Sequence, residues 1–246
     1  MADSIQLKDI SFRYSEKEKH SIKHITLDAE EGECIVIAGG SGCGKTTLTR
    51  CINGLIPHFY EGELAGSGVL LGRDMTNMRI SDISKCVASV FQDPKSQFFT
   101  LDVMSELIFA CENYGYNKVD IDRKLSYVIE LLNLNPLLDK KLNKMSNGEK
   151  QRIAIASALM LNGKVLLLDE PSSNLDYRSI ENLKRVLQIL KADGFTIIIS
   201  EHRLYYLKEL CDRLVLIKDG GIEKTYTIEE LDVLGNSEIH KGALEV

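Results

Sequence analysis

The chain has 246 residues, enough for one large domain with a substantial apolar core. Its 30 lysines and arginines stand against 36 aspartates and glutamates, and the net charge of −6 argues against a nucleic-acid partner. The start, "MADSIQLKDI", lacks a basic-then-apolar signal, and the longest apolar runs, 165–168 and 195–199, are strand-sized, so a cytoplasmic chain is expected, with any membrane part supplied by a partner.

Residues 4–12 and 22–29 are predicted strands, separated by the charged turn "SEKEKH". A short apolar strand follows at 34–38, then the glycine cluster "GGSGCGKTT" and a helix at 46–52. Segments 64–72 and 86–91 are further strand candidates. From about 102 to 142 the period is helical: Val103, Leu107, Cys111 and Tyr114 share one face, as do Leu125, Val128, Leu131 and Leu132. At residues 144–152, "KMSNGEKQR" predicts a helix start, with Ser146 as N-cap and Glu149 completing a capping box. Asn147 and Gly148 leave its first turn bare, which raises the question of what approaches it. Strands return at 164–168, 195–200 and 213–218, with helical stretches between. This alternation predicts an α/β core with a mainly parallel sheet, into which the helical middle is inserted. The polar tail 235–246 is expected to be loosely held. Six cysteines, at 34, 43, 51, 86, 111 and 211, form no CxxC pair and are expected to be reduced and mostly buried.

Chemistry concentrates at the strand ends. "GGSGCGKTT" matches G-x-x-x-x-G-K-[ST] through Gly39, Gly44, Lys45 and Thr46. Glycines let backbone N–H groups curl around phosphate oxygens, and the following helix dipole favours negative charge. Lys45 would reach the outer phosphates and the Thr46 hydroxyl a magnesium ion. Cys43 inside the loop is either a thiolate favoured by the helix N-terminus or simply a small side chain. "VLLLDEP" ends a buried strand in two carboxylates, placing Asp169 to hold magnesium and Glu170 to orient or deprotonate a water. Gln92 and His202 each follow an apolar strand at the same edge, where a γ-phosphate role competes with simple strand capping. Tyr14 ends the first strand, as a base-stacking ring or as an edge or core aromatic.

The order of these motifs resembles that of the nucleotide-binding subunit of an ABC transporter, over about residues 4–226. "GGSGCGKTT" is similar to its Walker A, "VLLLDEP" to its Walker B, "FQDP" to its Q-loop, "SSNLD" to its D-loop and "MSNGEKQR" to its signature. Met145, Asn147 and Glu149 depart from the usual LSGGQ.

The resemblance implies a P-loop NTPase fold with an N-terminal antiparallel β region and an inserted helical subdomain. It implies one domain over 1–246, with its core at 1–92 and 163–234, the helical subdomain at 93–162 and the tail at 235–246. It implies ATP and Mg2+ as cofactors. Tyr14 would stack on adenine, and Gly39, Gly40, Ser41, Gly42, Cys43, Gly44, Lys45, Thr46 and Thr47 would hold the phosphates. Thr46, Gln92 and Asp169 would hold magnesium, while Glu170, His202 and Gln92 would be catalytic. Ser146, Asn147, Gly148 and Asp176 would meet the nucleotide of a second ATPase subunit, identical or different, in a head-to-tail dimer. The other implied partners are transmembrane transporter subunits, at the cytoplasmic face of the membrane.

"INGLIPHF", "FQDPKSQFF" and "GEKQRIAIA" further resemble the ATPases of energy-coupling-factor (ECF) importers of vitamins, vitamin precursors or metals. Pro94 and Gln97 fit that branch, whereas Lys95 stands where an acid is common. The chain also stops soon after its last strands, whereas many members carry a longer C-terminal segment. Rival readings are another ABC importer or exporter, a soluble ABC ATPase acting on DNA or ribosomes, and a non-hydrolysing nucleotide switch. Phe98 and Phe99 are adjacent, so one face cannot bury both, and a partner helix is expected to dock there.

Overall fold

A computed structural model describes residues 3–233. The expected tail at 235–246 lies outside the described residues, as does residue 234 at the end of the expected core. Two sheets organise the chain. Strands β1 (Asp3–Tyr14), β2 (Ile22–Glu30), β4 (Gly62–Leu70) and β5 (Arg73–Asp74) form an antiparallel sheet in the order β2-β1-β4-β5. Strands β3 (Cys34–Ala38), β6 (Val87–Val90), β7 (Val165–Asp169), β8 (Thr196–Ser200), β9 (Arg213–Lys218) and β10 (Gly221–Thr227) form the second, in the order β10-β9-β3-β8-β7-β6. All its pairings are parallel except the edge strand β10 on β9.

The helices are α1 (Lys45–Ile52), the one-turn α2 (Leu55–His58) and α3 (Ile80–Ile83), α4 (Val103–Asn113), α5 (Lys118–Leu131), α6 (Asn147–Leu159), α7 (Tyr177–Ala192) and α8 (Ile228–Val233). The helical period at 102–142 does not run through. Gly115, at φ +70°, ends one helix, and the Asn117 side chain caps the next by accepting from Asp120 N. Beyond α5, Asn133 takes φ +48° and only short 3-10 turns follow, at Asn135–Leu137 and Leu142–Lys144. Neither β5 nor β10 was signalled by apolar alternation, because both are largely exposed edge strands.

The central strands are apolar on both faces, and strand period two divides them between two cores. Val36, Leu166, Leu168, Ile197 and Ile199 pack with α4, α5, α6 and α7. Ile35, Ile37, Val165, Leu167 and Ile198 pack with the antiparallel sheet and with Leu48 and Ile52 of α1. Segment 93–162 therefore shares its apolar core with the sheet. Five cysteines are buried and Cys86 is half-buried. Burial pushes the Cys51 and Cys211 thiols up to about 12, so they stay protonated.

Leu48 is completely buried where α1 meets the apolar layer shared with the antiparallel sheet. Leu48→Ala is expected to cost about 2–5 kcal/mol, read as a lower urea midpoint at unchanged slope.

Candidate functional site

β3 delivers the chain into the glycine loop, and α1 begins at Lys45. Gly44, the N-cap, sits at φ +117°, and a Cβ there would lie 2.7 Å from Ser21 O, so only glycine fits. Gly39, Gly40, Cys43, Gly44 and Thr47 are buried, whereas Ser41 and Gly42 are exposed at the loop tip. Cys43 belongs to the apolar layer between the sheets, which favours the small-side-chain reading over a reactive thiolate. Lys45 is buried too. Its Nζ donates to Gly39 O at 3.0 Å and to Gly40 O at 3.1 Å, lies 3.2 Å from His202 Nε2, and forms an ion pair with Glu170 Oε1 at 3.8 Å.

The parallel register brings the remaining groups to the same edge. Val90 pairs with Leu168 and Asp169 with Ser200, so β6, β7 and β8 end level. The residues just beyond them are Gln92, Glu170 and His202. Gln92 Nε2 donates to Glu170 Oε2 at 2.7 Å, and His202 Nε2 lies 2.9 Å from Glu170 Oε1. Glu170 takes φ +45° and its N–H donates to Ser200 O at 2.9 Å. Such a backbone conformation is uncommon outside glycine. Asp169 Oδ1 accepts from Ser200 Oγ and, at 3.4 Å, from Thr46 Oγ1. The Thr46 hydroxyl and the Asp169 carboxylate, 3.4 Å apart, are hard oxygen donors of the kind that suits Mg2+, and Gln92 Oε1 carries no hydrogen bond among the described residues.

Tyr14 is half-buried beside the same loop. Its hydroxyl lies 3.3 Å from Thr47 Oγ1 and accepts from Arg50 Nη1 at 2.9 Å. Phe12 and Tyr60 meet its ring edge-on, with centroids 4.8 Å and 6.0 Å away. Arg50 stacks over Tyr60 at 4.1 Å. Neither Arg50 nor Tyr60 stood out in the sequence, because neither belongs to a motif.

Ser146, Asn147, Gly148 and Asp176 are placed elsewhere. The capping box is formed: Glu149 N donates to Ser146 Oγ at 3.3 Å, and Ser146 N to Glu149 Oε2 at 2.9 Å. A hydrogen bond from Lys140, then the Ser146 amide, holds the Glu149 carboxyl below its usual range. Asp176 caps α7 by accepting from Ser179 N at 2.8 Å. Ser146, Gly148 and Asp176 line one cleft with Arg152, Arg178 and Ser179. Among the described residues no hydrogen bond joins 39–47 to 146–148. The first turn is bare only in part: Ser146 and Asn147 are exposed and Gly148 is half-buried. A Cβ at Gly148 would lie 2.3 Å from Ser179 Oγ, so the missing side chain makes room for α7, and Asn147 Nδ2 donates to Asn174 O at 3.2 Å.

Three carboxylates and amides outside the expected set organise neighbouring loops. Buried Glu201 follows β8 directly. Gln97 pins its turn to β6, accepting from Phe91 N at 2.7 Å and donating to Ser89 O at 3.0 Å. Buried Glu106 accepts from Phe99 N and Thr100 N, each at 3.0 Å. The sequence offered no signal for Glu106 beyond one charge on an otherwise apolar helix face.

A family model described as ABC transporter matches residues 22–173. A Treponema denticola protein provisionally named an ABC transporter ATP-binding protein is 54% identical over 240 residues, covering 98% of this chain and 49% of the relative. The chain thus spans about half the length of that relative. A Pyrococcus horikoshii protein with the same provisional name is 39% identical over 219 residues, covering 89% of this chain and 77% of the relative. Among solved structures, CbiO1 from Clostridium perfringens, part of the ABC transporter complex CbiONQ, superposes with a TM-score of 0.85 at 27% identity, covering 97% of this chain and 93% of that one. The chain belongs to the ABC transporter family, and its fold is that family's ATP-binding domain.

Proposed function

We propose that the chain binds and hydrolyses ATP and that this reaction drives a membrane transporter, by an ECF-type import mechanism. The observation that carries the reading is the convergence on Glu170. One carboxylate meets Gln92 and His202, lies 3.8 Å from buried Lys45, and neighbours the Thr46–Asp169 pair. A phosphate ester held by the loop would sit among all of them.

In this reading the backbone N–H groups of 39–47 and Lys45 bind the phosphates, and Tyr14 stacks on the base. Thr46, Gln92 and Asp169 would hold Mg2+, which when bound would offset phosphate charge. Glu170 accepts the proton of the attacking water. His202 and Gln92 hold the Glu170 carboxylate in place and meet the terminal phosphate. Ser146, Asn147, Gly148 and Asp176 receive the nucleotide of a second ATPase domain, in a head-to-tail pair. The separation of their cleft from Lys45 within one chain supports that arrangement.

No helix among the described residues is long and apolar enough to cross a membrane. The proposed chain acts peripherally, at the cytoplasmic face. The transmembrane subunit docks between the turn after Gln92 and α4. Phe99 is 75% exposed and stacks on Phe109 at 4.9 Å, and Leu101 is 78% exposed. Phe91, Phe98, Phe99, Phe109 and Leu161 line one groove, of a kind that takes a short amphipathic helix. The likeness to CbiO1 and the ECF-like segments support import of a vitamin, vitamin precursor or metal ion.

Glu170→Gln is expected to keep ATP binding and lower hydrolysis by about 10²–10⁴-fold, while accumulating an ATP-dependent dimer in sedimentation. Turnover near that of the parent would overturn the role of Glu170.

Ser146→Arg is expected to abolish hydrolysis yet leave ATP binding to the single chain intact. Mixing it with Lys45→Ala should restore activity in mixed dimers, each holding one intact shared site. Weakened ATP binding by the Ser146→Arg monomer would contradict the facing arrangement.

Phe99→Ala is expected to weaken capture of the membrane subunits by about tenfold, the scale of an aromatic anchor, and to reduce transport more than basal hydrolysis. Cysteines at 95–99 that give no cross-link to any membrane partner during active transport would remove this docking site.

A further inference from the structure

We propose that Glu201 is a positioning residue that fixes His202 and the loop after Glu170 as one rigid unit. This rests on the ATP site proposed above, since His202 gains its importance there.

Glu201 is 2% exposed, and its own N–H donates to Ile37 O at 2.9 Å. Four donors converge on its carboxylate. Oε1 accepts from His202 N at 2.8 Å and Arg203 N at 3.1 Å. Oε2 accepts from Ser172 N at 3.2 Å and the Tyr206 hydroxyl at 2.8 Å. The first pair shapes the turn that carries His202; of the second, Ser172 lies across in the strand-end loop of β7 and Tyr206 in the turn that follows Arg203. Arg203 closes the clamp, with Nη1 donating to Ser172 O and Leu175 O, each at 3.4 Å. Burial, then the Glu201 charge, raises the Tyr206 phenol well above its usual value, so it remains a donor.

The chemistry calls for a carboxylate. A carboxylate in its ionised form only accepts, so two oxygens satisfy four donors in this buried site. A glutamine would turn an N–H toward one of the two pairs. Tyr206 can rotate its hydroxyl to accept, but a backbone N–H cannot, so an amide such as that of Ser172 would be left unpaired.

The clamp also has direction. At one end His202 contacts Glu170 and Lys45. At the other, the loop from Ser172 leads to Asp176, which lines the cleft of Ser146 and Gly148. The clamp therefore joins the loop of His202 to the loop that leads to the surface proposed to face the second domain.

The test uses the full chain with whatever subunits accompany it. Glu201→Gln is expected to lower kcat for ATP hydrolysis by about 10–100-fold, the scale of a misplaced catalytic group, with KM within about threefold. In a His202→Ala background the same change is expected to lower kcat by less than about twofold further, because the two residues act as a unit. Tyr206→Phe, which leaves the carboxylate and three donors, is expected to stay within about threefold of the parent. Amide hydrogen exchange provides the readout independent of activity: Ser172 N–H is expected to exchange about tenfold faster or more in Glu201→Gln, with β3 unchanged. Glu201→Asp keeps the charge but withdraws it by one methylene, and should give the same exchange result where the glutamine variant does not fold. Full additivity with His202→Ala, or unchanged exchange at Ser172, would overturn the proposal. A parent chain with no ATPase activity would instead overturn the ATP reading, and the exchange result alone would then decide the clamp.

Discussion

Lys45 is a buried ammonium, and the rest of the site is arranged to make that tolerable. An unpaired buried charge costs several kcal/mol, so the group must be surrounded by acceptors. Here the loop folds its own carbonyls of Gly39 and Gly40 back onto Nζ, and Glu170 stands 3.8 Å away. Holding Glu170 there in turn requires partners. Gln92 and His202 grip its two oxygens, and its backbone takes a positive φ. These contacts span α1 and the ends of β6, β7 and β8. A slip in any pairing of the parallel sheet would break the arrangement, so the buried register of that sheet and the geometry of the site are one constraint.

Much of this was legible in the sequence because the signals are local. A strand, a glycine loop and a helix occur in immediate succession at 34–52, and each carries its own physical signature. Asp169 and Glu170 sit directly after an apolar run, and His202 and Gln92 sit just past two others. The strand positions 34–38 and 213–218 matched the observed β3 and β9. What escaped the sequence is what depends on tertiary partners. Glu201 reads as one more polar residue before His202, yet it gathers donors from Ser172 and Tyr206 as well as its neighbours. Arg50 and Tyr60 form the bracket around Tyr14 only because the end of β1 meets α1 and the turn after α2. The helical period across 102–142 overstated α5, because apolar spacing does not register the positive φ at Asn133.

Gly148 shows why a motif and a packing requirement are hard to separate. The sequence presents it as a bare helix turn open to a ligand. In the structure its open side is occupied by Ser179 of α7, while Ser146 and Asn147 remain exposed. Glycine there lets α6 and α7 approach closely, and Asp176 caps α7 at the same place. The two helix starts are thereby locked side by side, with their N-terminal dipole ends adjacent. The packing of the two helices and the anion site proposed there draw on the same residues.

The groove beside Gln92 obeys a similar economy. Phe99 and Phe98 are adjacent, and the structure divides them. Phe98 packs toward the core, while Phe99 is held outward on Phe109. Two polar side chains, half-buried Gln97 and buried Glu106, fix that division: Gln97 ties the turn to β6, and Glu106 takes the Phe99 and Thr100 amides. An exposed aromatic on a loose loop would lose most of its contact energy to ordering on binding. Here the loop is already ordered by hydrogen bonds to β6 and the residue after it, and to α4 behind it. The apolar groove and the polar network at Glu170 are therefore joined by one short, hydrogen-bonded segment.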